Sequence, residues 1–172
     1  MRASELAGYR NVLAGSVVFE GLPPTELDVI MASCRLLEVE ENGTILTEGC
    51  RGEGLYIILE GEVEFFLPEH GAGGIHRPGP VRLNVLGPGR CFGEYGLIDD
   101  QPTSASARGL TRVRLCLLPR AEFHGVTEGS DRIGRIVFGN LARVLVGRLR
   151  AKDKELDMFQ FTEPAPGADE RP

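Results

Sequence analysis

The chain has 172 residues and a net charge of −6. That length suits one domain with a sizeable core, the negative charge argues against a general affinity for nucleic acid or anionic membrane, and no apolar run approaches the ~20 residues of a membrane span. Glycine contributes 23 of the residues, about twice its usual ~7% share, which favours a turn-rich β architecture over a helical bundle.

The N-terminus, Met1-Arg2-Ala3-Ser4-Glu5, has no apolar core segment of the kind a secretory signal needs, so a cytoplasmic location is expected. Leu6, Tyr9, Leu13 and Val17 fall near a helical period and predict a helix within 1–18. Phe19 to Pro24 breaks it, and Thr25–Met31 reads as a short helix started by the proline. From about residue 35 the pattern turns to strands. Ile45-Leu46 lies between the turn signals Asn42-Gly43 and Gly49. Leu55–Leu59 is apolar on both faces, as a strand covered on both sides should be. Glu60-Gly61 reads as a two-residue hairpin turn, after which Val63, Phe65 and Leu67 alternate with Glu62, Glu64 and the less tidy Phe66. His70 to Pro80 is rich in Gly and Pro and predicts a loop.

The segment Cys91-Phe92-Gly93-Glu94-Tyr95-Gly96-Leu97-Ile98, continued by Asp99-Asp100-Gln101-Pro102-Thr103-Ser104-Ala105-Ser106, has the order of an anion pocket. Gly93 lets the backbone approach a ligand and frees N–H groups at the start of a short helix. Glu94 is a candidate acceptor for a sugar hydroxyl and Ser104 a candidate donor to a phosphate oxygen. Glu94 has a second reading, as a loop anchor capping local N–H groups. Asp99 and Asp100 read as a solvent-facing helix end. Beyond the segment, Val113, Leu115 and Leu117 alternate as a last strand, Pro119–Phe123 starts a turn of helix, and a long helix follows from about Asp131 to Asp157. Its stripe Phe138, Ala142, Leu145, Leu149, Lys152 and Leu156 has 4–3 spacing. With Val137, Leu141 and Val144 that stripe is wider than one packing surface needs, so one part should pack on the domain and the other is a candidate dimer seam. The helix's basic residues alternate with acidic ones and read as a solvated face. The tail from 158 is expected to be disordered.

The segment Phe92-Gly93-Glu94-Tyr95-Gly96-Leu97 with Pro102, Ser104 and Ala105 resembles the phosphate-binding cassette of cyclic-nucleotide-binding domains, the family of the catabolite activator protein and of the regulatory subunits of cyclic-nucleotide-dependent kinases. The run from Gly49 to Val63 and Leu86-Gly87-Pro88-Gly89-Arg90 match the same family. The resemblance implies a mainly β fold: an eight-stranded jelly-roll-type β-roll over 19–128, an N-terminal helix over 1–18, a long C-terminal helix over 129–157 and a tail over 158–172. It implies a ligand site at Phe92, Gly93, Glu94, Tyr95, Gly96, Thr103, Ser104 and Ala105, with Asn140 and Arg143 of the long helix as candidate base contacts. It also implies cAMP or cGMP as ligand, no resident cofactor, and a homodimer through the long helix.

Thr103 stands where the family has the arginine that pairs with the cyclic phosphate. Arg108 lies five residues further on a strand, ~16 Å away at ~3.3 Å per residue, too far to replace it; Arg51, Arg77 and Arg90 come from other segments. Two functions follow: a non-enzymatic sensor coupling a cyclic nucleotide or related anion to the long helix, or a ligand-blind dimeric scaffold acting through a protein partner. Only about fifteen residues follow Asp157, too few for a helix-turn-helix domain, so direct DNA reading is not expected. His70, His76 and His124 are isolated, which argues against a metal enzyme of the cupin type. Cys34, Cys50, Cys91 and Cys116 lack short ligand spacing and read as small thiols in a reducing compartment.

Overall fold

The computed structural model describes residues 3–160, with side chains for 5–157. Eight strands form two antiparallel four-stranded sheets. The strands are β1 (Arg35–Val39), β2 (Thr44–Leu46), β3 (Gly54–Glu60), β4 (Val63–Leu67), β5 (Val81–Leu86), β6 (Cys91–Phe92), β7 (Ser106–Gly109) and β8 (Val113–Pro119). One sheet has the order β1-β8-β3-β6 and the other β2-β7-β4-β5.

The period-two rule explains why β3 is apolar from Leu55 to Leu59. Tyr56 and Ile58 point into the roll, where they meet Phe92, Val113, Leu115 and Leu117. Leu55, Ile57 and Leu59 point the other way, into a second core beneath the helices. Both faces of that sheet are covered there, so Leu55–Leu59 is buried at every position. The other sheet is covered on one face, and β5 at its edge is largely exposed.

Glu60-Gly61 does not close a hairpin. β3 and β4 lie in different sheets: β3 pairs with β6 and β8, and β4 with β5 and β7. The turn is a corner that carries the chain from one sheet to the other. Gly61 adopts φ 81°, and a Cβ there would lie 2.3 Å from the Arg112 carbonyl oxygen. The corner is fixed by Thr111 Oγ1, which accepts from the Glu62 N–H at 3.1 Å, and by the Leu110 N–H, which donates to the Glu62 carbonyl at 2.8 Å.

The helices cover the first sheet. The expected single N-terminal helix is instead α1 (Ala3–Leu6) and α2 (Arg10–Ala14), joined by a 3-10 turn over Ala7–Tyr9 and followed by another over Val17–Phe19. Gly8 and Gly15, poor helix formers, stand at the interruptions. The Arg114 guanidinium donates to Tyr9 Oη at 2.7 Å, and Tyr9 Oη donates to Glu60 at 2.7 Å, tying this segment to the sheet. α3 (Pro24–Ala32) and α5 (Arg120–Glu128) each begin just after or at a proline. α4 (Tyr95–Asp99) is a single short turn, and α6 (Asp131–Gln160) is the long C-terminal helix. α6 runs past the expected end at Asp157, and the remainder of the predicted tail, 161–172, lies outside the described residues. Ile133, Val137 and Leu141 of α6 are buried in the second core. The Gly/Pro-rich loop is pinned by Arg77, which bonds the Glu48 carboxylate at 3.0 and 3.1 Å and the Pro68 carbonyl at 2.8 Å. No helix among the described residues is long and apolar enough to cross a membrane.

Gly61→Ala combines a strained left-handed φ with a clash against backbone. It is expected to lower stability by ~1–3 kcal/mol. Gly79→Ala, where a Cβ meets nothing within 4 Å, serves as control. Urea unfolding checks this, and equal midpoints for the two variants would show that the corner has no special requirement for glycine.

Candidate ligand site

A cavity of about 460 Å³ opens between the roll and the second half of α6, within the range of small-molecule sites. Phe92, Gly93, Glu94, Tyr95, Gly96, Thr103, Ser104 and Ala105 all lie on its wall. Leu46, Phe65 and Leu86 contribute an apolar floor from the second sheet, and Leu145, Arg148, Leu149, Ala151, Lys152 and Glu155 close it from α6.

Local geometry places the cassette. Phe92 stacks on Tyr56 at 4.9 Å between ring centroids and meets Phe65 edge-on at 5.1 Å, which anchors the start of the segment in the roll. Gly93 follows with φ 83°, and a Cβ there would lie 2.5 Å from the Gly54 carbonyl oxygen. This turn directs Glu94 inward. Asp99 and Asp100 do more than end α4. Asp99 Oδ1 accepts from the Gln101 N–H at 2.9 Å, and Asp100, at φ 56°, accepts from Arg51 at 2.7 Å and Arg120 at 3.0 Å.

Glu94 is fully buried. It makes no side-chain capping bond to α4, which removes the loop-cap reading. Its Oε1 instead accepts a hydrogen bond from Arg148 of α6, while Oε2 has no partner. Arg148 also donates to the Cys91 carbonyl at 2.6 Å. Burial pushes the Glu94 carboxyl above its ordinary value, against the opposing pull of Arg148 and of its backbone hydrogen bond.

Thr103 is committed to the protein. Its hydroxyl faces the Thr47 carbonyl at 2.6 Å and the Cys50 carbonyl at 3.1 Å, so its one proton is used there and it cannot donate to a ligand. Its backbone N–H donates to the Cys50 carbonyl at 2.9 Å. The arginines weighed from sequence do not lie on the cavity wall. Arg51 pairs with Asp100, Arg77 with Glu48 and Arg108 with Glu64.

Asn140 and Arg143, the candidate base contacts, are engaged within the protein. Neither lines the cavity. Buried Asn140 donates to the Val18 and Glu20 carbonyls at 3.2 and 2.8 Å, tying α6 to the Val17–Phe19 turn, and Arg143 donates to Asn140 Oδ1. The α6 residues facing the cavity begin at Leu145 and run to Glu155. Sequence reasoning missed Arg148. Its available signal was position: it follows Leu145 by three residues and precedes Lys152 by four, so the three share a helix face. Among the described residues no cluster of three or more His, Cys, Asp or Glu could hold a metal ion.

The raised Glu94 carboxyl has a definite linkage. Between the ordinary value of 4.5 and the raised value, the folded state holds a proton that the unfolded state releases. Stability from this group is therefore greatest below that window and falls as pH rises through it. Relative to Glu94→Gln, the wild type is expected to lose stability with rising pH across the window and to run parallel above it. Denaturant unfolding at several pH values reads this directly; parallel curves throughout would contradict a perturbed Glu94.

Comparison with known proteins agrees with this geometry. The family model described as "Cyclic nucleotide-binding domain" matches residues 36–130. The Cyclic AMP receptor protein of Thermus thermophilus is 34% identical over 151 residues, covering 88% of this chain and 65% of that relative. The solved Thermus thermophilus catabolite activator protein superposes with a TM-score of 0.68 at 34% identity, over 85% of this chain and 64% of the other. The regulatory domain of Toxoplasma gondii PKA, solved with cAMP, gives 0.60 at 25% identity, over 72% of this chain and 44% of the other. The chain thus spans just under two thirds of the first two proteins' length. With the eight-stranded roll and the cassette residues gathered at one cavity, the chain belongs to the cyclic nucleotide-binding domain family.

Proposed function

We propose that the chain is a non-enzymatic sensor whose cavity binds a cyclic nucleotide, cAMP or cGMP, and passes the binding event to α6. The observation that carries this reading is the buried Glu94 carboxyl, which belongs to a residue lining the cavity and whose Oε2 has no partner. An unsatisfied buried acceptor costs ~1–3 kcal/mol, and more when charged. A ribose hydroxyl relieves that cost by donating to it. Ser104 remains as a hydroxyl on the phosphate side, and the apolar floor suits a base. Because α6 forms one wall of the cavity, a ligand there touches the roll and the helix together, and the differential contact needed to shift the helix is available.

The second reading, a ligand-blind dimeric scaffold, is favoured by Thr103, whose hydroxyl serves only the protein. Calorimetric titration separates the two. The sensor reading expects binding heat and a thermal shift with cAMP or cGMP. It also expects Thr103→Arg, which restores a charge-assisted phosphate contact, to tighten binding by ~10–100-fold. Neither heat nor shift at millimolar nucleotide would leave the scaffold.

α6 also offers an outward apolar face for a second copy of the chain. Phe138, Val146 and Leu156 are exposed, which is unusual for one helix of a lone domain. The expectation is a dimer by light scattering, reduced to monomer by Val146→Glu with Leu156→Glu. A monomeric wild type across micromolar concentrations would contradict it.

A further inference from the structure

The missing cassette arginine leaves a chemical gap, because an anion entering this cavity needs a positive charge. The candidates near the cassette are bound to other groups: Arg51 and Arg120 to Asp100, and Arg77 to Glu48. The cavity wall nevertheless carries two cationic side chains, Arg148 and Lys152, both from α6 and one helical turn apart. Lys152 is held at 2.6 Å by Glu155, which faces the same space. Arg148 differs. An arginine has five N–H donors in a fixed fork. Arg148 commits one to Glu94 and one to the Cys91 carbonyl, leaving three for other acceptors. Its side chain is 29% exposed, while its Glu94 partner is 0% exposed. The guanidinium therefore sits at the rim of the cavity with its fork fixed and donors to spare, next to the carboxylate assigned to the ribose.

We propose that Arg148 is the residue that selects an anionic ligand in this cavity, so that the charge lost at Thr103 is supplied from the C-terminal helix. This rests on the nucleotide-binding reading above. Arg148 keeps its bond to Glu94 Oε1 while its remaining N–H groups meet the ligand's phosphate oxygens, and Glu94 Oε2 takes a sugar hydroxyl. One side chain then ties the roll, the ligand's charge and α6 together. A cation on the cassette would hold the phosphate against the roll alone. A cation on α6 makes the position of the helix depend on whether the ligand is charged.

Cyclic AMP and adenosine share base and ribose and differ in the anion, so their affinity ratio isolates Arg148's role. Calorimetry on the full chain at low salt is expected to show cAMP binding at least tenfold tighter than adenosine, with the preference shrinking as salt rises. Arg148→Gln alone would leave Glu94 as a buried unpaired charge, so the comparison is made in a Glu94→Gln background, where no charge is orphaned. The preference for cAMP is expected to persist in Glu94→Gln and to fall to within threefold of unity in Glu94→Gln/Arg148→Gln. Arg148→Lys, which keeps the charge, should retain part of it. A wild type with equal affinity for both ligands, or a double variant that keeps the preference, overturns the role of Arg148 while leaving nucleoside-type binding intact. Failure of the wild type to bind either ligand overturns the sensor reading and this inference with it.

Discussion

A buried carboxylate at the junction of two structural layers organises this molecule. Glu94 leaves the roll from the turn at Gly93, and Arg148 reaches it from the second half of α6. A carboxylate with no exposure is unfavourable alone. The pair makes the placement tolerable and at the same time fixes where α6 crosses the cassette. The second carboxylate oxygen has no partner among the protein's own groups. Buried polar groups left without a protein partner are found at functional sites more than elsewhere.

The rest of the structure positions this junction. The apolar interior of the roll, with Phe92 stacked on Tyr56, sets the level at which the cassette leaves the sheet. Asn140 locks the first half of α6 to the backbone at Val18 and Glu20. Beyond that lock α6 has few buried residues, and its cavity-facing side carries Leu145, Leu149 and Ala151 beside Arg148, Lys152 and Glu155 and bonds the cassette segment through Arg148. The helix is thus divided into a packed half and a half whose contacts are the kind a ligand can alter. That division gives a sensor a physical basis, since tightly packed elements have little freedom to respond and weakly buried ones open at low cost.

Much of the fold was legible because burial imposes strong patterns. The two-sided apolar run Leu55–Leu59, the alternation from Val113 to Leu117 and the proline-started helices each have one consistent physical reading. The cassette residues were legible because glycine at Gly93 and an inward carboxylate are required in adjacent positions. Failures came where long-range pairing decides. Glu60-Gly61 has the chemistry of a hairpin turn, but a left-handed glycine serves equally at a corner between sheets, and only pairing partners distinguish the two. Asn140 and Arg143 sit mid-helix with suitable chemistry, yet the crossing point of α6 places the cavity nearer Arg148 and Lys152. Arg148 itself looked like one of many charges on a solvated face. Its meaning depends on Glu94, 54 residues earlier, and no local pattern reveals that contact.

The central claim is that Glu94 completes its hydrogen bonding with a ligand's sugar while Arg148 remains beside it. A crystal structure of the chain grown with saturating cAMP tests this most directly. The account predicts nucleotide in the cavity, with a ribose hydroxyl within hydrogen-bond distance of Glu94 Oε2 and α6 still closing the wall. A cavity free of nucleotide under those conditions, or nucleotide bound with Glu94 making no contact to it, would contradict the account.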